Sequence, residues 1–457
     1  MGDVAAVFKA YDVRGLVPEE LDAGLTRSIG GAFARLVRSE EPGTTSVVVA
    51  RDMRPSGGEL SAAFTDGITA LGLDVVDIGL ASTDMLYFAS GHLGTPGAVF
   101  TASHNPAGYN GIKMCLSGAR PIGIDTGLGA MRDDVLAGPG DSDVAADAAR
   151  TGTVTTVDLL DGFADHVRSF VDVPALRPLR VVADTANGMG GLVVPAVFDA
   201  LPFDLEVLFA ELDGTFPNHP ADPMQPENLV DLRERVLATG ADVGLAFDGD
   251  ADRVFLVDEL GQPVSGTLTT ALVARSVLRR EPGATIVHNL ICGSVVPEVI
   301  AEGGGHAVRT RVGHSFIKAV MAREGAAFGG EHSGHYYFRD NWRADSGLIA
   351  ALTVLEELSA SGGTLSELLE PFDRYATSGE INARVEDPAA VIERVAQHYA
   401  GSPQDRLDGL TVEPGGWWFN LRPSNTEPLL RLNLEAADAG SCAARVAEVR
   451  TLIDGAG

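Results

Sequence analysis

The chain has 457 residues, and at about 100–200 residues per domain this length predicts three or four domains. A formal net charge of −29 excludes nucleic acid and anionic membranes as partners, because a strongly acidic surface repels both. Three scattered cysteines, the lack of a basic-then-apolar leader and the lack of a run of about 20 apolar residues favour a reduced, cytoplasmic protein.

One strand–helix pattern occurs three times in the first 370 residues. In each copy, two strand–helix steps lead to a third strand that ends in a polar, glycine-rich loop, and such alternation predicts α/β units with mostly parallel pairing. Because ligands collect at the carboxyl ends of strands in such sheets, we expect the loops 103–110, 248–253 and 330–335 to line binding sites. The predicted strands are 46–50, 74–78, 98–101, 180–183, 205–210, 243–247, 285–288, 306–309 and 326–328.

Composition changes mark the expected domain boundaries. The segment 137–152, AGPGDSDVAADAARTG, is small, acidic and rich in turn residues, which is typical of a linker. After Pro371 the character changes, and LLRLNLE alternates apolar and polar residues like a half-buried strand. The sequence therefore predicts three α/β domains and a smaller C-terminal α+β domain, with bounds 1–150, 151–256, 257–370 and 371–457.

The first polar loop contains TASHNP. Ser103 is expected to be exposed at a strand end before a tight Asn-Pro turn, so it could act as a nucleophile. No Gly-x-Ser-x-Gly elbow surrounds it, which disfavours an α/β-hydrolase. An ordinary turn with local backbone hydrogen bonds is the alternative for this motif alone. Lys113, after the Asn-Gly turn that follows, could serve the same site.

The second polar loop, DGDADR, has three carboxylates at alternate positions, which can converge on one hard divalent cation. An EF-hand is disfavoured, since its sixth position needs glycine and here is Arg253, and the flanks VGLAF and VFLVD are typical of strands. An aspartyl-phosphate phosphatase is the other alternative. Members of that family have a hydroxyl residue two positions after the second aspartate, whereas this chain has Asp252 there.

Three more segments carry sugar- and phosphate-binding groups. In GEHSGH, at 330–335, glutamate and serine can hydrogen-bond sugar hydroxyls, and a histidine can accept a proton near neutral pH. In RPSNTEP, at 422–428, a guanidinium, two hydroxyls, an amide and backbone N–H groups form a candidate phosphate cradle. FKAYDVRG, at 8–15, adds cationic and hydroxyl groups. Each segment alone could be a plain polar turn.

Together and in this order, these motifs resemble those of the α-D-phosphohexomutase superfamily, over the chain from Tyr11 to Arg431. GEHSGH is similar to the phosphomannomutase/phosphoglucomutase group, whereas phosphoglucosamine mutases commonly have glutamine in place of His332. The resemblance implies three similar α/β mixed-sheet domains plus a smaller C-terminal α+β domain around a central cleft. It also implies reversible phosphoryl transfer between C6 and C1 of a mannose or glucose phosphate, through a phosphoserine and a hexose 1,6-bisphosphate that also serves as activator.

The resemblance further implies roles for individual residues. Ser103 is the phosphorylated serine and shares a bound Mg²⁺ with Asp248, Asp250 and Asp252. The catalytic residues around the transferring phosphoryl group are Arg14, His104, Lys113, Arg253 and His335. The substrate-binding residues are Tyr11, His314, Glu331, Ser333, Arg422, Ser424, Asn425, Thr426 and Arg431. Some members have a lysine where Ile291 stands, so that phosphate contact is missing or is supplied by His314.

The residues leave several choices open. The general base is either Lys113 or His335. A phosphoglucosamine mutase, a metal-dependent sugar-phosphate phosphatase and a non-catalytic phosphosugar-binding protein compete with the mutase prediction. The intact serine and aspartate motifs argue against the last of these, since a binding module needs no nucleophile. The expected partner is a hexose phosphate, and mannose and glucose differ at C2, on which no residue type here reports.

Overall fold

A computed structural model describes residues 4–138, 151–423 and 429–455. The chain forms two compact units, a larger one of Met1–Ser265 with Ser333–Leu368 and a smaller one of Gly266–His332 with Leu369–Gly457. Most of the linker predicted at 137–152 lies outside the described residues. The short 3₁₀ helices are Val4–Val7, Ile124–Thr126, Val173–Ala175, Pro226–Leu229, Arg339–Asn341 and Glu370–Phe372.

The first sheet of the larger unit is mixed. Its strands are β1 (Val13–Leu16), β2 (Ser46–Arg51), β3 (Asp74–Leu80), β4 (Gly97–Phe100), β5 (Tyr109–Leu116), β6 (Arg120–Pro121) and β7 (Val154–Thr156). Its helices are α1 (Ala23–Glu40), α2 (Gly57–Ala70), α3 (Thr83–Leu93) and α4 (Leu128–Ala137). The strand order is β1-β5-β4-β2-β3-β7, with β6 beside β5. β2 pairs in parallel with β3 and β4, whereas β5 is antiparallel to β4.

The core of this sheet follows from its residue types. β2 reads SVVVAR and its four central residues are buried, because β-branched side chains pack well between layers of helices. At the start of α1, Asp22 Oδ1 accepts a hydrogen bond from the Leu25 N–H at 2.7 Å, which caps the helix. Phe33 of α1 stacks on Phe64 of α2, and Phe64 meets Phe100 of β4 edge-on at 5.4 Å. These aromatic contacts fix the helices on the sheet.

The second sheet of the larger unit is also mixed. Its strands are β8 (Arg180–Asp184), β9 (Asp204–Leu208), β10 (Val243–Phe247), β11 (Val254–Asp258) and β12 (Pro263–Val264), in the order β12-β11-β10-β8-β9. The accompanying helices are α5 (Leu160–Arg168), α6 (Gly190–Phe198) and α7 (Val230–Thr239). β8 pairs in parallel with β9 and β10, and β11 returns antiparallel to β10.

The third copy of the pattern belongs to the smaller unit. It contains α8 (Gly266–Arg280), β13 (Thr285–Asn289), α9 (Val295–Glu302), β14 (His306–Thr310), α10 (His314–Glu324) and β15 (Phe328–Gly330). β13 pairs in parallel with β14 and β15. The chain then enters the larger unit with β16 (Tyr336–Phe338) and α11 (Gly347–Ser361), and α12 (Leu365–Leu369) ends at the unit boundary.

The predicted repeat is confirmed by the strand order. The orders β3-β2-β4, β9-β8-β10 and β14-β13-β15 are the same, with the first strand of each copy in the middle and the third strand ending in the polar loop. The prediction for β10 matches its bounds, while β15 starts two residues after the predicted 326–328. Each polar loop therefore begins at the carboxyl end of a strand, as the fold class requires.

The C-terminal part of the smaller unit is an antiparallel α+β structure. Its elements are β17 (Ala376–Arg384), α13 (Pro388–His398), β18 (Gln404–Asp405), β19 (Leu410–Val412), β20 (Trp417–Pro423), β21 (Leu429–Ala436) and α14 (Ala439–Ile453), with the strand order β17-β21-β20-β19-β18. The apolar side chains Val395, Phe419, Leu421 and Leu432 form part of its core. The predicted fold class, three α/β parts and a smaller α+β part, is confirmed.

Among the described residues, no single helix is long and apolar enough to cross a membrane; the pair Gly347–Ser361 and Leu365–Phe372 passes the same test only together, with a 100° bend between them.

Candidate functional site

The serine loop begins directly after β4. Ser103 has a φ of 49°, in the left-handed region that few residues other than glycine adopt. Its hydroxyl donates to Asp248 Oδ2 at 2.8 Å and lies 3.2 Å from His104 Nδ1. The expectation of an exposed serine is wrong, since Ser103 is only 5% exposed. The aspartate loop covers it so closely that a Cβ on Gly249 would lie 2.4 Å from the Ser103 carbonyl oxygen.

The aspartate loop joins β10 to the antiparallel strand β11, and flanking strands exclude an EF-hand, whose loop joins two helices. Asp248, Asp250 and Asp252 are buried, and one carboxylate oxygen of each lies within 4.8 Å of the others. Oδ1 of Asp250 and Oδ1 of Asp252 accept no hydrogen bond from any residue that the structure describes. Buried carboxylate oxygens at this spacing fit a hard divalent cation.

Two basic groups neutralise part of this aspartate cluster. Lys113 on β5 places Nζ 2.7 Å from Asp250 Oδ2 and 2.6 Å from Asp252 Oδ2. Arg253 donates from Nε to Asp248 Oδ2 at 2.9 Å. Three carboxylates thus face two basic groups, and bringing like charges together is unfavourable unless a cation joins them. With all three aspartates ionised, the cluster has one negative charge in excess of Lys113 and Arg253, and a divalent cation would offset that charge.

The ionisation of the aspartates differs because their neighbours differ. Burial raises the pKa of Asp248 to about 8, although the positive charge of Arg253 opposes that rise. Burial also disfavours the ionised form of Asp250, but Lys113 and a hydrogen bond from Thr83 hold the pKa of Asp250 below its usual range. Asp250 is therefore ionised at neutral pH and ready to act as a ligand.

Lys113 is one of the two predicted bases. Burial disfavours its charged form, yet the negative charges of Asp250 and Asp252 raise the pKa of Lys113 well above its usual range. In this arrangement the lysine is protonated at neutral pH, so it can stabilise negative charge but cannot accept a proton. Of the two candidates, the geometry favours His335 as the base.

His335 lies beside the cluster, directly before β16. Its backbone forms a bridge with Arg253. Its Nε2 is 3.8 Å from Asp252 Oδ1, and its Nδ1 is 3.2 Å from the Ser333 hydroxyl. The side chain is 22% exposed, so a substrate hydroxyl can reach the ring. Ser333 and His335 are thus the members of GEHSGH that belong to the serine–aspartate cluster.

The N-terminal motif reaches the serine loop through strand pairing. β1 is antiparallel to β5, and Arg14 lies opposite Gly111. The guanidinium of Arg14 donates to Asn105 Oδ1 and to Asp12 Oδ2, both at 2.5 Å. Tyr11 is half-buried in the same unit. Arg14 therefore lies in contact with the loop that carries the serine.

Glu331 is buried in the smaller unit, just after β15. Its Oε2 accepts hydrogen bonds from Asn289 Nδ2 at 2.9 Å and from the Gly313 N–H at 3.2 Å. His314 follows as the first residue of α10. Ile291 is buried in the turn after β13, where its N–H donates to Asn289 Oδ1 at 3.2 Å. Glu331 thus binds the N–H of the residue that precedes His314, while an apolar side chain occupies position 291.

The predicted phosphate cradle begins on the polar face of the C-terminal sheet. Arg422 on β20 lies opposite Arg431 on β21. Both contact Glu380 of β17, at 3.0 Å from Arg422 Nη2 and 3.3 Å from Arg431 Nη1. These three side chains together carry a net positive charge, which suits an anion. The remaining cradle residues, Ser424, Asn425 and Thr426, lie outside the described residues.

Family models for the four domains of phosphoglucomutase/phosphomannomutase match the chain in order. They cover residues 5–128 (alpha/beta/alpha domain I), 161–261 (domain II), 265–375 (domain III) and 380–452 (C-terminal domain). The chain belongs to the phosphoglucomutase/phosphomannomutase family. Relatives named as mutases align with almost the whole chain.

Phosphohexose mutases of Xanthomonas campestris pv. campestris are 42% identical over 457 residues, covering 98% of this chain and 99% of theirs. Phosphomannomutase of Escherichia coli K12 is 40% identical, with 98% of each chain covered. A solved phosphoglucomutase/phosphomannomutase family protein from Burkholderia thailandensis matches with a TM-score of 0.89 at 34% identity, covering 99% of this chain and 97% of that one. The prediction of an isomerase of the phosphohexomutase type is confirmed.

Three polar residues near the site were not identified from the sequence. Thr83, the first residue of α3, donates its hydroxyl to Asp250 Oδ2 at 2.5 Å, and Asn289 holds Glu331 as described above. Arg54, after β2, contacts the serine loop. Each lies at or just after the carboxyl end of a strand that pairs in parallel with a neighbour, so the rule that ligands gather at such ends could have identified them. Their partners, however, depend on strand order, which the motifs do not specify.

Proposed function

We propose that this phosphohexomutase interconverts the 6-phosphate and 1-phosphate of mannose, and also of glucose, through a phosphoserine at Ser103. The observation that carries the proposal is the 2.8 Å hydrogen bond between the Ser103 hydroxyl and Asp248, inside a buried trio of aspartates. A serine held on a cation site can carry a phosphoryl group whose charge that cation offsets. The preference for mannose rests on relatives that are named phosphomannomutases.

Asp248, Asp250 and Asp252, together with an oxygen of the phosphorylated Ser103, would hold Mg²⁺. Oxygen donors alone, with two of them buried and unpartnered among the described residues, are the donor set that this hard cation prefers. Bound there, Mg²⁺ would offset the negative charge of the phosphoryl group.

The protein's own side chains supply the remaining charge and the proton acceptor. In the transfer step, a sugar hydroxyl oxygen forms a bond to phosphorus, the bond from phosphorus to Ser103 Oγ breaks with its electron pair left on Oγ, and the hydroxyl proton passes to His335. Lys113 and Arg253 stabilise the negative charge that spreads over the transferring oxygens. Arg14 borders the same loop and adds a positive charge. His104, within the loop, contributes a neutral imidazole beside Ser103, because burial lowers the pKa of His104 well below its usual range.

Substrate binding is the proposed task of a second group of residues. Glu331 and Ser333 accept hydrogen bonds from vicinal sugar hydroxyls. The non-reacting phosphate is held by Arg422, Arg431, Ser424, Asn425 and Thr426, with Tyr11 and His314 as further contacts. Transfer yields a hexose 1,6-bisphosphate, which must turn over so that its other phosphate returns to Ser103, and the same compound activates the unphosphorylated enzyme. A cradle built from cations and loop N–H groups can accept either phosphate.

The proposed domain bounds are 1–150, 151–256, 257–370 and 371–457, and the proposed location is the cytoplasm. A hexose phosphate is the partner in this scheme, and nucleic acid and membranes are not.

A coupled assay on mannose 1-phosphate, glucose 1-phosphate and glucosamine 1-phosphate, with catalytic hexose 1,6-bisphosphate and Mg²⁺, tests this function. We expect turnover with mannose and glucose phosphates that requires the bisphosphate. Turnover of glucosamine 1-phosphate alone would assign a phosphoglucosamine mutase. Release of inorganic phosphate without isomerisation would assign a phosphatase, and binding without either product would assign a phosphosugar-binding protein.

A further inference from the structure

Arg54 is a buried arginine that touches the serine loop at four points. It is 2% exposed and lies in the turn between β2 and α2. Its Nη1 donates to the carbonyl oxygens of Pro106 and Tyr109, both at 2.9 Å. Its Nη2 donates to the carbonyl oxygens of Ser103 at 2.9 Å and Asn105 at 2.6 Å. One side chain thus binds four carbonyl groups of a single loop.

The position of Arg54 is itself fixed from several directions. Asp52 accepts the N–H of Arg54 at 2.9 Å, and its Oδ2 lies 3.3 Å from Arg54 Nε. The guanidinium lies over the ring of Phe216, at 5.2 Å from the centroid. Gly214 packs so closely that a Cβ there would be 2.6 Å from the Arg54 Cα. Buried on all these sides, Arg54 has no access to substrate and can act only through the loop.

The loop needs such support because its backbone is strained. Ser103 has a positive φ, which is unfavourable for a residue with a side chain unless the surroundings hold it. Local hydrogen bonds, such as Ser103 N–H to Thr101 Oγ1 and Asn105 N–H to the Ala102 carbonyl oxygen, both at 3.0 Å, join residues within this segment, whereas Arg54 joins the loop to the turn after β2. Because β2 and β4 pair in parallel, with Arg51 opposite Phe100, the turn after β2 lies beside the serine loop.

We propose that Arg54 is a positioning residue for the phosphoryl-transfer reaction, holding the serine loop in the conformation that presents Ser103 Oγ to the aspartate cluster. This inference rests on the proposed phosphoserine function. A guanidinium presents donors in a fixed fork, which matches four carbonyl groups on two sides. A lysine at this position has one ammonium group and cannot reach both pairs.

The test is Arg54→Lys, compared with Arg168→Lys as a matched control. Arg168 at the end of α5 also donates to two backbone carbonyls, those of Ala196 and Val197, at 2.8 and 3.1 Å, in the same unit. For R54K we expect kcat to fall on the order of 100-fold, as for a misplaced reacting group. KM for the hexose phosphate should change by less than about threefold, since ground-state binding uses other residues. R168K should keep both constants.

Hydrogen–deuterium exchange supplies a readout that does not depend on activity. In R54K, amides of residues 101–110 should exchange faster than in the wild type, while β2 and β4 keep their protection. R168K should leave exchange in 101–110 unchanged. A folded R54K whose kcat lies within about threefold of wild type, or whose loop exchange is unchanged, overturns the inference.

If R54K does not fold, Gly214→Ala tests the same inference by its kcat and by hydrogen–deuterium exchange in 101–110. The added methyl presses on the Arg54 backbone, so we expect a smaller fall in kcat and faster exchange in 101–110, and the absence of both effects overturns the inference. A wild-type enzyme without turnover of any hexose phosphate would refute the proposed function instead. The exchange comparison would still decide whether Arg54 holds the loop.

Discussion

The two units of the molecule carry polar clusters of different composition. In the larger unit, three buried aspartate side chains face Lys113 and Arg253, so carboxyl groups outnumber basic ones. In the smaller unit, Arg422 and Arg431 both contact the carboxylate of Glu380. The first cluster suits a cation and the second suits an anion. In the proposed scheme, the chemistry and the holding of the substrate phosphate therefore belong to separate parts of the chain.

The clusters differ in burial at one residue, Arg431. The aspartates lie in a loop between buried strands, where Asp250 Oδ2 accepts a hydrogen bond from Thr83 and Asp248 Oδ2 accepts one from Arg253. Arg422 and Arg431 lie on an antiparallel sheet, where the Arg422 side chain is 6% exposed and the Arg431 side chain is 25% exposed. Burial makes electrostatic interactions stronger and fixes geometry, which transfer needs. In the proposed scheme, the partial exposure of Arg431 suits a phosphate that must be bound and released in two orientations.

The largest expected effect comes from Ser103→Ala. Removing the hydroxyl removes the acceptor of the phosphoryl group, so mutase turnover should fall by at least about four orders of magnitude. The coupled assay measures this, with Ser61→Ala as control, since the Ser61 hydroxyl donates to the carbonyl of Gly58 within α2. Undiminished turnover in S103A would refute the phosphoserine scheme.

Arg422→Gln should weaken substrate binding in the second cluster. Loss of a charge-assisted hydrogen bond to phosphate should raise KM by about 10- to 100-fold, while the affinity for Mg²⁺ stays unchanged. Steady-state kinetics and a metal titration measure the two effects. Arg445→Gln is the control, because Arg445 pairs with Glu448 on the helical side of the same part of the chain. Equal losses in both affinities would contradict the separation of roles.

Thr83→Val tests the support of the cation site. The Thr83 hydroxyl donates to Asp250 Oδ2, and loss of such a contact behind a metal ligand should weaken Mg²⁺ binding by about tenfold. KM at saturating Mg²⁺ should stay near that of the wild type. The magnesium dependence of activity measures the effect, with Thr451→Val on α14 as control. A T83V enzyme with wild-type magnesium affinity would show that Asp250 needs no such support.

The last expected effect is on stability and not on kinetics. Mg²⁺ at about 100 times its dissociation constant should stabilise the folded state by about 2.7 kcal/mol, because it binds the native aspartate cluster. Hydrogen exchange should then slow near residues 103 and 248–252, whereas a hexose phosphate without metal should protect residues near 422 and 431. Thermal unfolding with and without Mg²⁺ gives the magnitude. Slower exchange near residue 422 on addition of Mg²⁺ alone would contradict the assignment of cation binding and phosphate binding to different clusters.

Much of the candidate site could be predicted from the sequence. Ser103, Asp248, Asp250 and Asp252 belong to short motifs whose residue types already restrict their chemistry. The strands that carry the motifs were also predictable, because runs such as VGLAF at 243–247 have the β-branched and apolar residues of a buried strand. Local pattern is enough wherever the physical cause is local.

What only the tertiary structure decided depends on contacts between distant segments. The burial of Ser103, the protonated state of Lys113 and the contact of Arg54 with the serine loop follow from strand order and from the close approach of the two loops. Strand order reflects how helices and sheets share one core, a property of the whole chain that no single motif encodes. The sequence by itself therefore determined the family and the candidate groups, and the fold determined how those groups are buried and paired.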